Sequence, residues 1–518
     1  MQIPEPNPRR PHGRGGRDRP SRADVPLQPP WHQPVRHFAP VDLATEEQIE
    51  AIHQTALQIL AEIGIDFLDE DARHRLAEAG AQVDPDSERV RFDRDFIEEM
   101  ISTAPSEFTI HAVNPERNLH MGGNTVAFGS VGSAPNTSDE VGGRRPGNHE
   151  DYKNLLRLGH TINTLHFWAG YPVEPIDIHP SVRHLDAIFD LLTLSDRVIH
   201  AYSLGAQRNR DALEMVRIAR QVDDETLDRQ PSVMSVINSS SPLRYDKPML
   251  QGIIEFSARN QVIVITPFTL AGAMAPVTIA GALAQHNAEA LAGIAFTQVV
   301  RPGAPVIYGG FTSNVDMQSG APAFGTPEFM QTAMITGQLA RRYNLPYRSS
   351  GVNSANALDA QAAYESVFSL WGAVMGGAHM LLHALGWMEG GLRASFEKMV
   401  LDADLCGMVQ HFLEPIDFST DALALEAVRD VGPGGHFFGT PHTLARFRTS
   451  FYRPLISDWR NFESWEEAGM PEAKARMVQL VDRLKATYEQ PPMDPAVLAE
   501  LEDFVERRKA EGGVPTDY

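Results

Sequence analysis

The segments VIVITPF (262–268) and VIYGGFT (306–312) are short runs of apolar, β-branched and aromatic residues, which is the composition of a buried strand. Helical stretches such as DALEMVRIARQV (211–222) separate runs of this kind along the chain. Strands that alternate with helices pair in parallel through right-handed crossovers. The other six runs are VAFGSVG (126–132), HFWAGYPV (166–173), VIHAYSLG (198–205), VMSVINS (233–239), YRSSGV (347–352) and HMLLHALG (379–386).

The number of runs distinguishes a closed barrel from an open sheet. Eight strands in roughly 260 residues match a closed eight-stranded barrel, which typically takes about 250 residues. We therefore predict an α/β protein whose catalytic domain is a (β/α)8 TIM barrel over residues 121–412.

Two smaller regions flank the predicted barrel. In residues 41–120, the capping-box pattern TEEQ (45–48) starts a helix, and RVRF (89–92) and EFTIHAV (107–113) look like strands, which predicts a small N-terminal α/β appendage. Residues 413–518 contain Gly/Pro-rich loops followed by amphipathic helical patterns. This pattern predicts a C-terminal helical extension.

Residues 1–40 form a basic tail rich in Pro, Arg and Gly, which we expect to be disordered because it has little apolar surface to bury. Seven arginines against Glu5, Asp18 and Asp24 give this tail a net charge of +4. Because the whole chain has a net charge of −22, residues 41–518 carry −26. An acidic body of this size repels phosphate backbones, so we expect no nucleic-acid binding.

The cysteine content and the hydropathy of the chain indicate in which cellular compartment the protein lies. Cys406 is the only cysteine, which excludes an internal disulfide and a zinc site built from several thiolates. The apolar stretch 261–284 is interrupted by proline and glycine, whereas a membrane span needs about 20 uninterrupted apolar residues. The first 40 residues have no apolar signal-peptide centre. We expect a cytoplasmic protein that does not enter the membrane.

Aromatic residues cluster near the predicted C-terminal strand ends, where barrel enzymes place their active sites. A quaternary ammonium cannot donate a hydrogen bond, so its site uses ring faces and a nearby carboxylate. The alternative is that these rings only fill the barrel core. The aromatics are Phe167, Trp168, Tyr171, Phe268, Tyr308, Phe311, Trp371 and Trp387, and the carboxylates are Glu174, Asp316 and Glu389.

The pair His379 and His383 has a spacing that places both rings on one face of a helix or strand. No complete zinc motif accompanies it, so we predict no metal site. His383 alone fits better as a proton donor or hydrogen-bonding group at the barrel mouth. No phosphate-binding glycine loop or nucleophile-elbow serine motif is present.

Several long segments resemble the trimethylamine–corrinoid methyltransferase family. The resemblance covers about residue 40 to the end of the chain and implies an eight-stranded barrel. The segments include GYPVEP (170–175), PFTLAGAMAPVTIAGALAQHNAEALAGI (267–294), PGAPVIYGGFTSNVDMQSG (302–320), SGVNSANALDAQAAYES (350–366), GWMEGGLRASFEKMVLDAD (386–404) and GPGGHFFGTPHTLARFR (432–448).

One departure from that family narrows what the resemblance implies. The trimethylamine enzymes carry pyrrolysine, and this sequence has none. The resemblance therefore implies the branch without pyrrolysine, whose members demethylate quaternary amines such as glycine betaine. It carries over no catalytic electrophile. It also implies that a cognate corrinoid protein accepts the methyl group. We expect no tightly bound cofactor in this chain, which shows no cobalamin-binding DxHxxG motif.

The resulting hypothesis is a homo-oligomeric enzyme that moves a methyl group from a methylated amine to the Co(I) corrinoid of a partner. Two alternatives stay open, namely a different methyl acceptor such as folate, and a non-catalytic betaine-binding barrel. The expected catalytic residues are His383 and Glu389. The expected substrate-binding residues are Tyr171, Glu174, Phe268, Phe311, Asn353 and Trp387.

Overall fold

The computed structural model describes residues 28–516. Its centre is a parallel sheet of seven strands that curls around a shared interior. We number the barrel strands in chain order, counting 166–168 as strand 2. The others are strand 1 Ala127–Ser130, strand 3 Ile199–His200, strand 4 Val233–Ile237, strand 5 Val262–Ile265, strand 6 Val306–Gly309, strand 7 Tyr347–Ser350 and strand 8 Met380–Leu385.

Strand 2 closes the barrel through a single bridging residue. Phe167 forms parallel bridges with Gly129 of strand 1 and with Val198, which precedes strand 3. The Trp168 amide donates to the Val198 carbonyl at 2.9 Å. A side chain at Gly129 would collide with the Phe167 ring, because an added Cβ would lie 2.3 Å from Cε2. The close approach of these two residues completes the ring of eight strands, and the predicted (β/α)8 barrel is confirmed.

A helix follows each strand and covers the outside of the barrel, as parallel pairing requires. Helix Ile279–Val300 is apolar on all sides because it packs between the barrel and the N-terminal helices. The covering helices are His149–His160, Arg183–Leu194, Ala206–Arg220, Asp224–Arg229, Lys247–Ala258, Ile279–Val300, Pro327–Arg342, Ala360–Met375 and Phe396–Leu413.

The N-terminal part of the chain packs on the barrel and closes its lower end. The antiparallel pair Phe108–Ile110 and Leu119–Met121 lies at the N-terminal ends of the barrel strands, and its apolar residues join the barrel interior. The same region contains a small sheet in which Ile65–Phe67 pairs with Arg244–Tyr245 on one side and with Arg89–Arg91 on the other, and Arg89–Arg91 also pairs with Gln82–Val83. The neighbouring helices are Glu46–Gln58, Ile59–Ile63, Glu70–Glu78, Arg94–Ser102 and Pro115–Arg117.

The expected disorder of residues 1–40 does not hold for residues 28–40, while residues 1–27 lie outside the described part of the chain. Arg36 is buried, its amide donates to the Asn124 carbonyl at 2.8 Å, and Val35 bridges Thr125. The apolar and hydrogen-bonding residues Trp31 and Gln33 also contact the barrel region. These contacts supply the burial that the composition of the tail did not suggest.

The C-terminal region contains helices Leu425–Val431, Pro441–Arg446, Phe462–Glu467, Ala473–Ala486 and Pro495–Ala510. The last two pack on the barrel helices, with Lys509 paired to Asp186 at 2.6 Å. Above the barrel, two small sheets are formed by Asn136–Asp139, Gly143–Pro146, Trp387–Met388 and Arg393–Ser395, and by Leu270–Ala271, Ser313–Val315 and Pro322–Ala323. The proposed division at residues 40, 120 and 412 remains a prediction.

Candidate functional site

A cavity of about 580 Å³ opens at the C-terminal ends of the barrel strands. All eight strands or the loops that follow them contribute to its wall. This volume suits a small organic ligand. The position is the one at which barrel enzymes build their active sites.

One wall of the cavity is aromatic. The ring of Phe311 lies 5.0 Å from that of Phe268 and 5.6 Å from that of Phe324, centroid to centroid. Trp387 meets both Phe311 and Phe324 edge-on at 6.4 Å. Phe268, Phe311 and Trp387 come from the ends of strands 5, 6 and 8, which the barrel brings together, and Phe324 comes from the loop after strand 6. They form an apolar surface with π faces that can hold a cation.

Glu174 is the carboxylate in the cavity wall. Its side chain is 24% exposed, and its Oε2 lies 3.7 Å from Nη1 of Arg183. Burial raises the pKa of Glu174 above its usual range, and the Arg183 charge opposes that shift. When ionised, this carboxylate places a negative charge beside a cavity that also has aromatic rings.

Arg348 places a positive charge in the same cavity, from the middle of strand 7. Its Nη1 donates to the Gly310 carbonyl at 3.2 Å, and its guanidinium carbon lies 5.1 Å from the Phe311 ring centroid. Burial lowers its pKa to about 9, so it stays protonated at neutral pH. Within the described residues its Nε has no hydrogen-bond partner. A buried guanidinium of this kind is a ready ligand for an anionic group.

His383 lies in the wall with an unusual backbone conformation. Its φ is +59°, inside strand 8, where the pairing with strand 1 shifts register. The ring lies 4.1 Å from that of Trp387, and its Nδ1 is 3.4 Å from Ser350 Oγ. Such backbone strain clusters at functional sites. Burial, then the charges of Arg348 and His200, lower the pKa of His383 well below its usual range, so the ring is neutral.

A second histidine and a tyrosine complete the wall near strand 3. His200 accepts from the Val236 amide at 3.1 Å and bonds the Ala169 carbonyl at 3.0 Å, and burial lowers its pKa to about 4. The Tyr202 oxygen accepts hydrogen bonds from Ser133 Oγ and the Tyr171 amide. These bonds orient the Tyr202 ring beside the cavity.

Five of the eight predicted site residues line the cavity, namely His383, Glu174, Phe268, Phe311 and Trp387. The other three lie behind the wall. Tyr171 packs edge-on against Tyr202 at 4.6 Å, and Asn353 bonds the backbone of Trp387. Glu389 pairs with Arg144 at 3.0 Å and Arg393 at 3.2 Å, next to the wall residues Gly390 and Gly391.

The other aromatics and carboxylate of the predicted cluster lie elsewhere. Tyr308 is buried and donates to Asn287, and Trp168 is buried and donates to Ser195. Phe167 fills the barrel interior, and Trp371 packs on Phe412 outside the barrel. Asp316 caps an exposed turn. For these residues, the core-filling or structural alternative holds.

Sequence reasoning missed several wall residues, among them Arg348, His200, Tyr202 and Phe324. A signal existed for Arg348, because a charged residue inside a predicted barrel strand is expected to be buried and buried charges are rare unless they have a partner. Phe324 comes from the loop after strand 6, which folds back over the barrel mouth. Its distance from the strand end hid it from a search of strand ends.

Three further features of the structure are relevant to function. Across residues 28–516, no group of three or more His, Cys, Asp or Glu side chains is arranged to hold a metal ion. Both ring nitrogens of His379 bond backbone groups, the Gly123 carbonyl at 3.0 Å and the Tyr347 amide at 2.9 Å. His379 therefore has a structural role, whereas His383 lines the cavity. None of the helices in the described range has the length and apolar character to cross a membrane.

Comparison with known proteins gives matches along nearly the whole chain. The family model described as trimethylamine methyltransferase (MTTB) matches residues 10–513. The glycine betaine methyltransferase of Desulfitobacterium hafniense strain Y51 is 35% identical over 473 residues, which is 91% of this chain and 98% of that one. The trimethylamine methyltransferase MttB of Desulfitobacterium hafniense strain DSM 10664 / DCB-2 is 27% identical over 477 residues, 91% of this chain and 94% of that one.

Among solved structures, the carboxyl transferase domain of Rhizobium etli pyruvate carboxylase matches at 9% identity with a TM-score of 0.29. The match covers 94% of this chain and 62% of that chain.

Proposed function

This chain belongs to the trimethylamine methyltransferase family and is a methyltransferase, and we propose that it moves a methyl group from a betaine to the Co(I) corrinoid of a separate partner protein. A betaine has a quaternary ammonium at one end and a carboxylate at the other. Glycine betaine, the compound in the printed name of the relative at 35% identity, is the substrate we favour.

The observation that carries this proposal is the combination of charges and rings in one cavity. Phe311, Trp387 and Glu174 supply what a quaternary ammonium needs, ring faces and a carboxylate. Arg348 supplies what a substrate carboxylate needs, a buried guanidinium whose Nε has no hydrogen-bond partner among the described residues. A purely cationic amine has no group for Arg348, whereas a betaine has one.

The electron balance suits a quaternary substrate. The C–N bond breaks with its electron pair staying on nitrogen, so the leaving group is a neutral tertiary amine. The electron pair of the new cobalt–carbon bond comes from Co(I). No proton has to be transferred to the leaving nitrogen, which agrees with a cavity whose histidines His383 and His200 are neutral. The chain's task is to orient the methyl group and exclude water.

The predicted catalytic residues take positioning roles in this proposal. His383 packs against Trp387 and presents a neutral ring to the cavity, where it fixes the orientation of the aromatic wall and of the substrate. Glu389 holds the loop that contains Gly390 and Gly391 through its pairs with Arg144 and Arg393. Asn353 holds the backbone of Trp387.

The corrinoid partner would meet the substrate at the cavity mouth. A cavity of about 580 Å³ holds a small ligand and leaves the acceptor outside. Loops around the mouth carry exposed apolar side chains, among them Val141, Ile176, Val277, Met317 and Leu392. Such a rim is typical of a surface that binds another protein. We further propose that this reaction takes place in the cytoplasm.

The test supplies the purified chain with a reduced corrinoid protein and glycine betaine bearing deuterated methyl groups. The proposal predicts loss of the Co(I) absorbance and formation of dimethylglycine, with the label on the corrinoid. Label on a folate acceptor instead would support the first alternative. Betaine binding without any methyl transfer to either acceptor would support a non-catalytic barrel, and both results would contradict the proposal.

A further inference from the structure

Glu289 is a buried carboxylate behind the cavity wall, on helix Ile279–Val300. Its two oxygens accept four hydrogen bonds, all from uncharged donors. At Oε2 the donors are Ser239 Oγ and, at 2.6 Å, Ser241 Oγ, and at Oε1 they are the Leu243 amide and Gln285 Nε2, each at 2.9 Å. Because an ionised carboxylate offers about four acceptor sites, this hydrogen-bonding pattern is that of the charged form.

These hydrogen bonds connect Glu289 to two parts of the cavity wall. Ser239, in the loop after strand 4, lines the cavity itself. The Nε2 of Gln285 also donates to the carbonyl of Met274 at 2.9 Å, and Met274 lines the cavity from the loop after strand 5. Glu289 therefore holds the loops that follow two neighbouring strands of the barrel.

The Ser239 hydroxyl has one proton, and that proton is donated to Glu289. The oxygen therefore offers a ligand its electron pairs and not a hydrogen-bond donor. A serine held in this way cannot donate to the carboxylate of a substrate, whereas it attracts positively polarised groups. Because strand 4 pairs with strand 5, and the loop after strand 5 contains Phe268 of the aromatic wall, Ser239 lies beside the rings.

We propose that Glu289 orients the Ser239 hydroxyl so that its oxygen contacts the N-methyl groups of the bound substrate, which makes this side of the cavity selective for a cation. The inference rests on the proposed betaine-binding function and adds a substrate contact to it. The methyl groups of a quaternary ammonium share its positive charge, so their C–H bonds are attracted to the electron pairs of oxygen. The charge of Glu289, behind the serine, adds to this attraction. Ser239 then contacts the substrate, and Glu289 is a positioning residue that acts through it.

A purely structural role for Glu289 is the alternative, because the same hydrogen bonds also order the loop after strand 4. Ser241 separates the two explanations. Its hydroxyl donates to the same Glu289 oxygen as that of Ser239, yet Ser239 is among the described residues that line the cavity and Ser241 is not. Loss of either hydroxyl costs the loop one hydrogen bond, but only the loss at Ser239 removes an oxygen from the cavity wall. Ser241→Ala is therefore the matched control for Ser239→Ala.

Calorimetric binding to the purified chain tests the proposal with two ligands, glycine betaine and 3,3-dimethylbutyrate, in which carbon replaces the ammonium nitrogen. The ratio of their dissociation constants measures selectivity for the charge, whereas a purely structural loss affects both ligands alike. Ser239→Ala is expected to lower the preference for glycine betaine roughly 2- to 5-fold, which is the size of a weak C–H···O contact. Ser241→Ala is expected to keep the ratio of the parent. These measurements need no corrinoid protein, so they do not depend on the methyl acceptor.

Glu289→Gln tests the carboxylate itself. It keeps the size of the side chain, removes the charge and replaces one acceptor oxygen with an N–H donor, so the preference for glycine betaine should fall about tenfold. Thermal unfolding is measured for every variant, and where Glu289→Gln does not fold, the two serine variants decide alone.

Three results would overturn the proposal while leaving betaine binding in place. They are equal ratios in Ser239→Ala and Ser241→Ala, a loss in Ser239→Ala that is the same for both ligands, and a folded Glu289→Gln with the ratio of the parent. A parent that binds neither ligand would overturn the proposed function as well.

Discussion

Asn353 and Trp387 are joined by two hydrogen bonds that tie the end of strand 7 to the end of strand 8. The Asn353 side-chain Nδ2 donates to the Trp387 carbonyl at 2.6 Å, and the Trp387 indole Nε1 donates to the Asn353 carbonyl at 3.2 Å. The Trp387 ring in turn packs against the His383 ring at a tilt of 37° and meets Phe311 edge-on. Asn353 therefore sets the position of an aromatic wall that it does not itself join.

Replacing Asn353 with alanine is expected to lower stability and ligand affinity together. The substitution leaves the buried Trp387 carbonyl without its donor, which costs about 1–3 kcal/mol of unfolding free energy. Urea unfolding and calorimetric binding of glycine betaine measure the two effects. Asn356→Ala is the control, since Asn356 is exposed and contributes only its backbone carbonyl to Arg393. Equal behaviour of the two variants would contradict this role.

The aromatic wall should hold the ammonium end of the substrate. Trp387→Ala or Phe311→Ala is expected to weaken binding of trimethylammonium compounds by about 2 kcal/mol, roughly 30-fold, because a desolvated cation–π contact is lost. Trp371→Ala is the matched control, because Trp371 packs on Phe412 outside the cavity. Thermal unfolding is measured alongside, since either tryptophan leaves a void. Folded wall variants that bind like the parent would show that these rings only fill space.

Glu174 should contribute through its charge alone. Glu174→Gln keeps the size of the side chain and is expected to weaken binding of glycine betaine. Binding of 3,3-dimethylbutyrate, in which a carbon replaces the charged nitrogen, should stay nearly unchanged, because only the Coulomb attraction is removed. Calorimetry with both ligands makes the comparison. A parallel loss for both ligands would mean that the substitution disturbs the cavity rather than its charge.

The affinity for glycine betaine should decrease at acidic pH, because protonation removes the negative charge of Glu174. Burial raises the pKa of Glu174, so its carboxylate is lost at a higher pH than that of an exposed glutamate, which titrates at about 4.3. Affinity for a cation therefore declines as pH falls through that raised pKa. His200, with a pKa of about 4, and His383, whose pKa is held well below its usual range, do not titrate between about pH 6 and 8, so neither histidine changes the affinity there.

The acid-side decline should disappear in Glu174→Gln when affinity is followed by calorimetry from about pH 4, near the ordinary glutamate pKa, up to about pH 8. A decline that persists in Glu174→Gln, or one centred near the ordinary histidine pKa and removed by His383→Gln, would contradict the assignment to Glu174.

The barrel could be predicted from sequence because each strand left its own local signal. All eight apolar runs overlap barrel strands, including 166–168, which closes the barrel through Phe167 alone. The positions of residues 28–40 could not be predicted, because their burial depends on distant partners such as Asn124. Local composition carries no information about such contacts.

The site was predicted in part for a related reason. Strand ends are found by counting, so Phe311 and Trp387 were identified, whereas Phe324 reaches the cavity from a loop. Arg348 lies within a strand, and only the three-dimensional structure shows that its guanidinium faces the barrel interior. Glu389 was predicted because it follows the end of strand 8, but its ion pairs with Arg144 and Arg393 direct its carboxylate away from the cavity.

Binding measurements on Arg348→Met test whether one cavity recognises both ends of a betaine. The dissociation constants of glycine betaine and of choline are measured for this variant and for the parent. The two compounds share a trimethylammonium group, and only the betaine has a carboxylate. Breaking a buried charge pair costs about 2–5 kcal/mol, so Arg348→Met should weaken glycine betaine at least 30-fold and change choline little. The unliganded variant should be as stable as the parent or more so, because a buried charge without a carboxylate partner is removed. Equal losses for both ligands, or unchanged binding of glycine betaine, would contradict a role of Arg348 in holding the carboxylate.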